Sequence, residues 1–301
     1  MHSGFLSLDA FLARRSADRR LARLTHDVPL PEARGLEFGP ADNPTALPEG
    51  IRVAYVDHAA DAQANLPDAV PIDHAWTGSD SLAAVLGRGG IEEDLDFAIA
   101  AQVGQYVPNL LGWFRGIHAV LRPGGVFNLS LPDRRFMFDA GRADSTIAEL
   151  VEADLLAYTR PSPRQIFAHT HQALAVEPGR VWAGEDPAAA ARLCGDAALA
   201  LAHAQASETL ASGAYADCHC WVFTPLSFLD AVEAAARLGL FPFVLNRIAA
   251  TEPGGFEFYV SMRRDGETDP QALRSMQEGA IGHLREILER QQRTAKLLAG
   301  A

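Results

Sequence analysis

The stretch RGLEFGP at residues 34–40 determines the fold that this sequence predicts, because it joins a short apolar strand to an abrupt turn. A second strand-like run, IRVAYVD at 51–57, is rich in β-branched and aromatic residues. Similar runs predict strands at 72–77, 94–103, 126–133, 243–251 and 256–264. The first five strands alternate with helices or helix-length connections, so we predict an α/β fold with a mostly parallel sheet covered on both faces. The last two strands flank a Pro-Gly-Gly turn, which predicts an antiparallel edge hairpin.

Helical spacing of apolar residues organises the rest of the chain. It predicts helices at 7–24, 81–86, 109–121, 146–158, 225–238 and 271–298, and one or two more within 187–210. We therefore divide the chain into an N-terminal helical arm, a main domain with a helical insertion that would cap the active site, and a C-terminal helix. The bounds are 1–30, 31–265 with the insertion at about 140–220, and 266–301. The first helix is expected to pack on the flank of the domain, with a partner-binding arm as the alternative. The last, which is polar, is expected to face solvent or a second copy.

Composition narrows the class of protein. The chain has 301 residues, of which 48% are hydrophobic, and a net charge of -12. Nucleic acid and anionic lipid would be repelled by that charge, so we expect neither as a partner. No apolar run reaches the ~20 residues of a membrane span, and the start of the sequence lacks the pattern of a secretory signal. The three cysteines fit a reducing cytoplasm, which is the expected location.

The run Cys218-His219-Cys220 suggests metal binding at first sight. Paired metal-binding cysteines are usually spaced Cys-x-x-Cys, and the sequence has no second pair. We therefore predict no metal site and expect a strand with small residues on one face.

Three residues at the ends of the first two strands indicate a ligand site. Gly39 has no Cβ and lets the backbone approach a ligand closely, while Glu37 is expected to direct a carboxylate into the crevice where such sheets bind ligands. Asp57 ends the second strand, where an acidic residue hydrogen-bonds ribose hydroxyls in dinucleotide-binding folds. The full Gly-x-Gly-x-x-Gly spacing is absent, so a nucleoside without phosphates fits better. A tight strand exit and a turn aspartate are the structural alternatives.

Together these features resemble the class I S-adenosylmethionine-dependent methyltransferases, and most closely a bacterial branch of small-molecule or glycan-associated methyltransferase-like proteins. The resemblance runs from about Gly35 to Arg264. It rests on GLEFGP (35–40), YVDH (55–58), LRPGG (121–125) with the strand that follows, LPDRRFMFD (131–139), RPSP (160–163) and DCHCWVFTP (217–225). It implies a Rossmann-like fold of about seven strands and S-adenosyl-L-methionine as the cofactor.

The resemblance also implies cofactor contacts for residues that follow the first four strands. These are Glu37, Gly39, Pro40 and Ala41 around the methionine part, Asp57 on the ribose, His58 beside the adenine, Thr77 and Gly78 with Ser79 near the adenine edge, and Gln102 and Val103 facing the methionine part and the acceptor.

One departure from the branch bears on catalysis. Relatives often carry His-x-x-Glu-His after the fourth strand, where this chain has QVGQY at 102–106. Both histidines and the glutamate are missing. Either the acceptor needs no base at that place, or cofactor binding persists without catalysis.

A base is required only if the acceptor is a protonated oxygen or nitrogen. The candidates are Asp133, just beyond the fifth strand, and His169, Asp217 and His219 in the insertion. A hydrogen-bonded lid residue is the alternative for each histidine. The run Asp133-Arg134-Arg135 is either a clamp for an anionic acceptor or a surface charge cluster.

The leading hypothesis is a methyltransferase acting on a small-molecule or sugar-containing acceptor. The long terminal helices would suit a homodimer. The main alternative is a cofactor-binding or vestigial pseudoenzyme that serves as an interaction module. A nicotinamide-dependent oxidoreductase is a third possibility, which the missing third glycine disfavours.

Overall fold

The structure is a computed structural model that describes residues 5–59, 66–78, 81–90 and 94–299. Its strands are β1 Phe5–Leu6, β2 Arg34–Phe38, β3 Leu47–Pro48, β4 Arg52–Asp57, β5 His74–Ala75, β6 Leu95–Ala101, β7 Leu121–Pro132, β8 Val244–Ala249 and β9 Glu257–Arg263. Its α-helices are α1 Leu8–Ala17, α2 Arg19–Leu24, α3 Leu82–Arg88, α4 Leu110–Val120, α5 Ile147–Leu155, α6 Pro163–Gln172, α7 Pro178–Trp182, α8 Ala198–Ser212, α9 Pro225–Arg237 and α10 Pro270–Ala299.

Seven strands form the main sheet, in the order β5-β4-β2-β6-β7-β9-β8. The strands from β5 to β7 run parallel, and β9 lies antiparallel between β7 and β8. This confirms the predicted Rossmann-like α/β sheet with an antiparallel edge hairpin. The chain winds outward from β2 through β4 to β5 and then returns to place β6 on the other side of β2. The crevice at such a reversal is where open α/β sheets bind ligands.

The central strand β2 is buried because each of its faces packs against a core. Leu36 and Phe38 belong to the main hydrophobic core, which also contains Trp113 and Phe114 of α4. A second core, containing Leu24 of α2, occupies the other face. Since side chains alternate along a strand, Leu36 and Phe38 face the first core, whereas Gly35 and Glu37 face the second.

The N-terminal helices pack on the sheet. Leu24 of α2 is 1% exposed. Arg19 Nη1 lies 3.0 Å and Arg23 Nη2 2.5 Å from Glu252 Oε1, just beyond β8. The predicted single helix at 7–24 is interrupted at Asp18, whose Oδ1 accepts a hydrogen bond from Leu21 N at 3.0 Å. Apolar spacing alone does not reveal such a cap.

Helix α10, which was expected to face solvent or a second copy, packs one of its faces on the domain. Ile281, Leu284 and Leu288 are buried, and Gln277 Nε2 donates to Phe241 O at 2.8 Å. The helix contacts α9 and β8. Three apolar residues at i, i+3 and i+7 are enough to pack one face of the helix on the domain, although the helix is polar in composition.

The insertion contains a helix that was not predicted, α6. Its N-terminus has a recognisable signal, since Ser162 and Gln165 form a capping box around Pro163 at the first helical position. The helix predicted at 187–210 begins as an α-helix only at Ala198. The strand predicted at 126–133 begins earlier, at Leu121.

Among the residues with described coordinates, none of the helices has both the length and the apolar character that a membrane span requires.

Gly35 provides a test of how closely β2 and β6 pack. A Cβ at this position would lie 2.6 Å from ring atoms of Phe97, and Phe97 is fully buried. Gly35→Ala is expected to lower the free energy of unfolding by about 1–3 kcal/mol, because the ring has no space to yield. Gly282→Ala is the matched control: a Cβ there meets nothing within 4 Å, and in a helix interior it should stabilise by ~0.5–1 kcal/mol. Denaturant unfolding measures both. Equal effects of the two substitutions would contradict the close packing.

Candidate functional site

A pocket of about 400 Å³ opens at the carboxyl ends of the parallel strands. This volume lies within the range of small-molecule sites. The sheet and α4 contribute Phe38, Gly39, Val56, Asp57, His58, Ala59, Trp76, Thr77, Gly78, Val103, Asn109, Gly112 and Trp113. The insertion contributes Tyr158, Thr159, Arg160, Gly213 and Tyr215. The pocket is therefore built by two parts of the chain that are far apart in sequence.

Gly39 forms the turn that directly follows β2. Its backbone has φ +57°, in the left-handed region, and a Cβ would lie 2.7 Å from Val103 Cγ2. Its N–H donates to Val56 O at 2.9 Å. Glycine is required both by the conformation and by the contact, so the turn holds β2, β4 and the end of β6 together at the pocket.

Asp57 connects the end of β4 to the insertion. Its Oδ1 accepts a hydrogen bond from His58 N at 2.7 Å and lies 2.9 Å from His58 Nδ1. The His58 ring stacks on Tyr215, with centroids 4.3 Å apart. Burial, together with the nearby Asp217 carboxylate, raises the pKa of Tyr215, so its hydroxyl stays protonated. A carboxylate and two stacked rings thus form one wall of the pocket.

Trp76 forms an apolar part of the same pocket. Its ring centroid lies 6.1 Å from that of Phe38, and a Cβ at Gly116 would lie 2.7 Å from its Cη2. The missing side chain at Gly116 lets the indole pack closely against α4. Trp76 lies near the end of the strand predicted at 72–77, but no pattern in the sequence predicts it at the site.

Glu37 does not line the pocket, which corrects the expectation that it directs a carboxylate into the crevice. Residues alternate along β2, and because Phe38 faces the pocket, Glu37 points to the other side of the sheet. It is 2% exposed, and its Oε1 accepts a hydrogen bond from Thr45 N at 2.8 Å. Its Oε2 has no hydrogen-bond partner among the described residues. Burial raises the pKa of Glu37. The side chain fastens the loop that follows Gly39.

Three other residues expected at the cofactor also lie outside the pocket lining. Pro40 is buried, and Ala41 O accepts from Val70 N at 3.0 Å. Gln102 turns toward β9, where its Nε2 donates to Glu257 Oε2 at 2.9 Å. Ser79 lies outside the described residues. The structure brings the remaining expected residues together at one pocket: Gly39, Asp57, His58, Thr77, Gly78 and Val103.

Asp133 does not line the pocket, and its carboxylate is held by an ion pair and a hydrogen bond. It is fully buried, its Oδ2 lies 2.5 Å from Arg135 Nη2, and Thr251 Oγ1 donates to the same oxygen at 2.7 Å. Arg134 Nε lies 2.6 Å from Asp144 Oδ1. A buried carboxylate held in a bidentate pair is not available to abstract a proton from a ligand in the pocket. Each charge of the run at 133–135 is paired within the chain, so the run does not form an acceptor clamp at this pocket, and the two arginines remain partly exposed.

His219 belongs to a buried polar cluster rather than to the pocket. Its Nδ1 lies 2.5 Å from Asp139 Oδ2, and Arg142 Nη1 donates to Asp139 Oδ1 at 2.8 Å. Burial alone would raise the pKa of Asp139, but the His219 hydrogen bond and the nearby charges hold it below its ordinary value. Tyr106 packs edge-on against the His219 ring, with centroids 4.8 Å apart, and lines the pocket. The histidine therefore supports a pocket residue without lining the pocket itself.

His169 and Asp217 border a different cavity, of about 220 Å³. His169 Nδ1 accepts a hydrogen bond from His219 N at 3.2 Å. Burial lowers the pKa of His169 to about 4, so the ring is neutral near pH 7. The flanking Cys218 and Cys220 are buried, and their segment runs outside the regular strands, contrary to the strand expected there.

Several pocket residues were missed by sequence reasoning. Asn109 has a local signal, because it caps α4 by accepting from Gly112 N at 2.8 Å. Tyr106, Arg160 and Tyr215 have none, since only the folding of the insertion brings the last two beside the sheet.

Comparisons with known proteins find similarity to solved structures at low identity. No protein-family model matches the chain, and no curated protein matches it in sequence. An S-adenosylmethionine-dependent methyltransferase from Mesorhizobium loti is similar at 17% identity and a TM-score of 0.41, over 82% of this chain and 96% of that one. A protein described as a methyltransferase of the same kind, from Listeria monocytogenes, is similar at 12% identity and a TM-score of 0.40, over 84% and 99% of the two chains. A protein described as a zinc-dependent alcohol dehydrogenase, from Rhodobacter sphaeroides, is similar at 12% identity and a TM-score of 0.44, over 83% and 90%.

Glu37 is expected to act through the loop rather than through its charge. Glu37→Gln keeps an acceptor for Thr45 N and removes a buried charge, so the variant should be at least as stable as the native protein at pH 7. Glu37→Ala leaves a buried amide without a partner and should cost about 1–3 kcal/mol. Chemical denaturation at pH 7 distinguishes the two. An equal loss in both variants would mean that the carboxylate charge itself is needed.

His169 should make the protein less stable in mild acid. Its pKa in the folded chain, about 4, is below the ordinary 6.5. Between these values the unfolded chain binds a proton that the folded chain excludes, so this contribution to stability falls as the pH drops from 6.5 to 4. The difference in unfolding free energy between native protein and His169→Asn should therefore change between pH 7.5 and 4.5. His203→Asn, at an exposed position on α8, is the matched control. A difference that is the same at both pH values would contradict a buried neutral ring.

Proposed function

We propose that this chain is an S-adenosyl-L-methionine-dependent methyltransferase. One observation carries the proposal: the backbone turn at Gly39, which has no side chain, and the carboxylate of Asp57 line one pocket at the carboxyl edge of the sheet. These two residues end neighbouring strands on one side of the point where the winding of the sheet reverses. A nucleoside fits such a crevice.

The lining chemistry fits a nucleoside that carries no phosphate. A carboxylate has about four lone-pair positions, so Asp57 can accept from ribose hydroxyls in addition to His58. The rings of His58, Trp76 and Tyr215 offer flat apolar surfaces for an adenine base. Gly39 lets the ligand approach the backbone. Among the described lining residues Arg160 is the only lysine or arginine, and it comes from the insertion. A pyrophosphate at the Gly39 turn would therefore lack the cations that usually pair with it, which disfavours a nicotinamide dinucleotide.

When bound, S-adenosylmethionine supplies an electrophilic methyl group on a sulfonium. The protein would contribute alignment and exclusion of water. Tyr158, Thr159 and Tyr215 of the insertion border the same pocket as Asp57, so the insertion would limit solvent access to it.

Burial raises the pKa of Tyr106, so its hydroxyl stays protonated and is suited to donate a hydrogen bond to the acceptor. The bases expected from the sequence do not line this pocket, which favours an acceptor that reacts without losing a proton to the protein.

We further propose that the acceptor is a small molecule or a sugar-containing molecule, and that the protein acts in the cytoplasm, where its three free cysteines would stay reduced. The second candidate function is a cofactor-binding pseudoenzyme. It is favoured by the QVGQY run and by the positions of Asp133, His169 and His219 away from the pocket. Transfer of a labelled methyl group to any component of a cell extract would exclude it, and cofactor binding without transfer would support it.

Asp57 is the residue that tests cofactor binding. Calorimetric titration with S-adenosylhomocysteine should show binding by the native protein. Asp57→Ala is expected to weaken that binding at least about tenfold, because it removes a charged acceptor worth about 1.4 kcal/mol or more. Asp57→Asn keeps one acceptor oxygen and should lose less. Asp196→Ala, an exposed aspartate of the insertion, is the matched control and should bind as the native protein does.

Absence of heat and of any thermal shift with S-adenosylhomocysteine in the native protein would overturn the proposal. An Asp57→Ala variant that is folded by circular dichroism and binds with native affinity would also overturn the role of this carboxylate.

A further inference from the structure

A second cavity borders the pocket at residues 158–160. A space of about 290 Å³ shares Tyr158, Thr159 and Arg160 with the main pocket. Its other lining residues include Leu156 and Leu210, which are 62% exposed each. Asp57 and Gly39 line only the first cavity. Arg160 therefore lies at the boundary that the two cavities share.

The backbone around Arg160 leaves room for its guanidinium. A Cβ at Gly213 would lie 2.6 Å from Arg160 Nη1. Gly213 is the left-handed residue that ends α8, with φ +72°. On the other side, Pro161 and the capping box at Ser162 fix the chain that leads into α6. The guanidinium of Arg160 thus lies against the turn at Gly213, where a side chain would collide with it.

Arg160 has no counter-ion among the described residues, unlike the other arginines of this region. Arg115 pairs with Asp154, Arg164 with Glu149, and Arg142 with Asp139. The hydrogen bonds of the described residues likewise include none donated by the Arg160 guanidinium. In a chain with a net charge of -12, a cation left unpaired at the junction of two cavities has its five N–H donors available to a ligand.

We propose that Arg160 binds an anionic group, a carboxylate or a phosphate, on the methyl acceptor, and that the apolar part of the acceptor extends into the second cavity. This inference rests on the proposed function, since it identifies the acceptor class of the same site. The planar guanidinium fork matches two oxygens of either anion in a bidentate arrangement. The competing explanation is that Arg160 binds the carboxylate of the cofactor itself, and the experiment has to separate the two.

The test uses probes of known charge. Benzoate and phenyl phosphate carry the two anions on an apolar ring, and benzamide is the neutral counterpart of benzoate. Ligand-observed NMR titrations of the native protein, alone and with S-adenosylhomocysteine, should show binding of at least one anion at least tenfold tighter than that of benzamide. Whichever anion binds more tightly identifies the acceptor group. Arg160→Gln should abolish the preference for the anion. Arg274→Gln, which removes the same charge from an exposed position of α10, should retain it.

A second measurement addresses the cofactor explanation. Arg160→Gln should bind S-adenosylhomocysteine and 5′-methylthioadenosine, which lacks the carboxylate, as the native protein does. Weakened binding of S-adenosylhomocysteine alone would assign Arg160 to the cofactor and overturn the inference. A preference for anions that survives in Arg160→Gln, or no preference in the native protein, would also overturn it. If S-adenosylhomocysteine does not bind the native protein at all, the proposed function fails on its own, and the titrations without it still decide whether Arg160 binds anions.

Discussion

The turn at Gly39 is the constraint on which the rest of the site depends. The strand β2 has to end in a left-handed residue whose missing Cβ gives space to Val103. Only then can its amide reach Val56 O and hold the end of β4 beside it. Asp57 follows Val56 directly, so the same turn sets the distance between the bare backbone and the carboxylate. A larger residue at position 39 would separate the two strand ends, and the pocket between them would be lost.

The fold was largely predictable from the sequence, because strands and helices leave periodic patterns that are local. The central strand, its partner and the edge hairpin all follow from such runs. The main errors have local causes. Asp18 caps a helix inside a run that looks continuous, and α10 hides a three-residue apolar stripe in a polar sequence. Both effects are set by one to three side chains, which composition and mean periodicity average out.

The site was less predictable, because a residue type at a strand end does not tell which face it points to. Asp57 lies at the pocket, whereas Glu37 lies two positions before Gly39 and faces the other side of the sheet. Asp133 and His219 have the right chemistry for proton transfer, but Asp133 is paired with its neighbour Arg135 and bonded to Thr251, and His219 is bonded to Asp139. The sequence separation conceals the contacts with Thr251 and Asp139. Most charges near the sheet are thus neutralised inside the chain. The pocket retains aromatic rings, Asp57 and Arg160 as its means of recognition.

A crystal structure of the protein with bound S-adenosylhomocysteine would show whether Gly39 and Asp57 form one nucleoside site. We expect the ribose hydroxyls within hydrogen-bond distance of Asp57, the adenine against the aromatic wall that includes Tyr215, and the methionine part beside Gly39. A nucleoside bound elsewhere, or a pocket closed by side chains at saturating ligand, would contradict it.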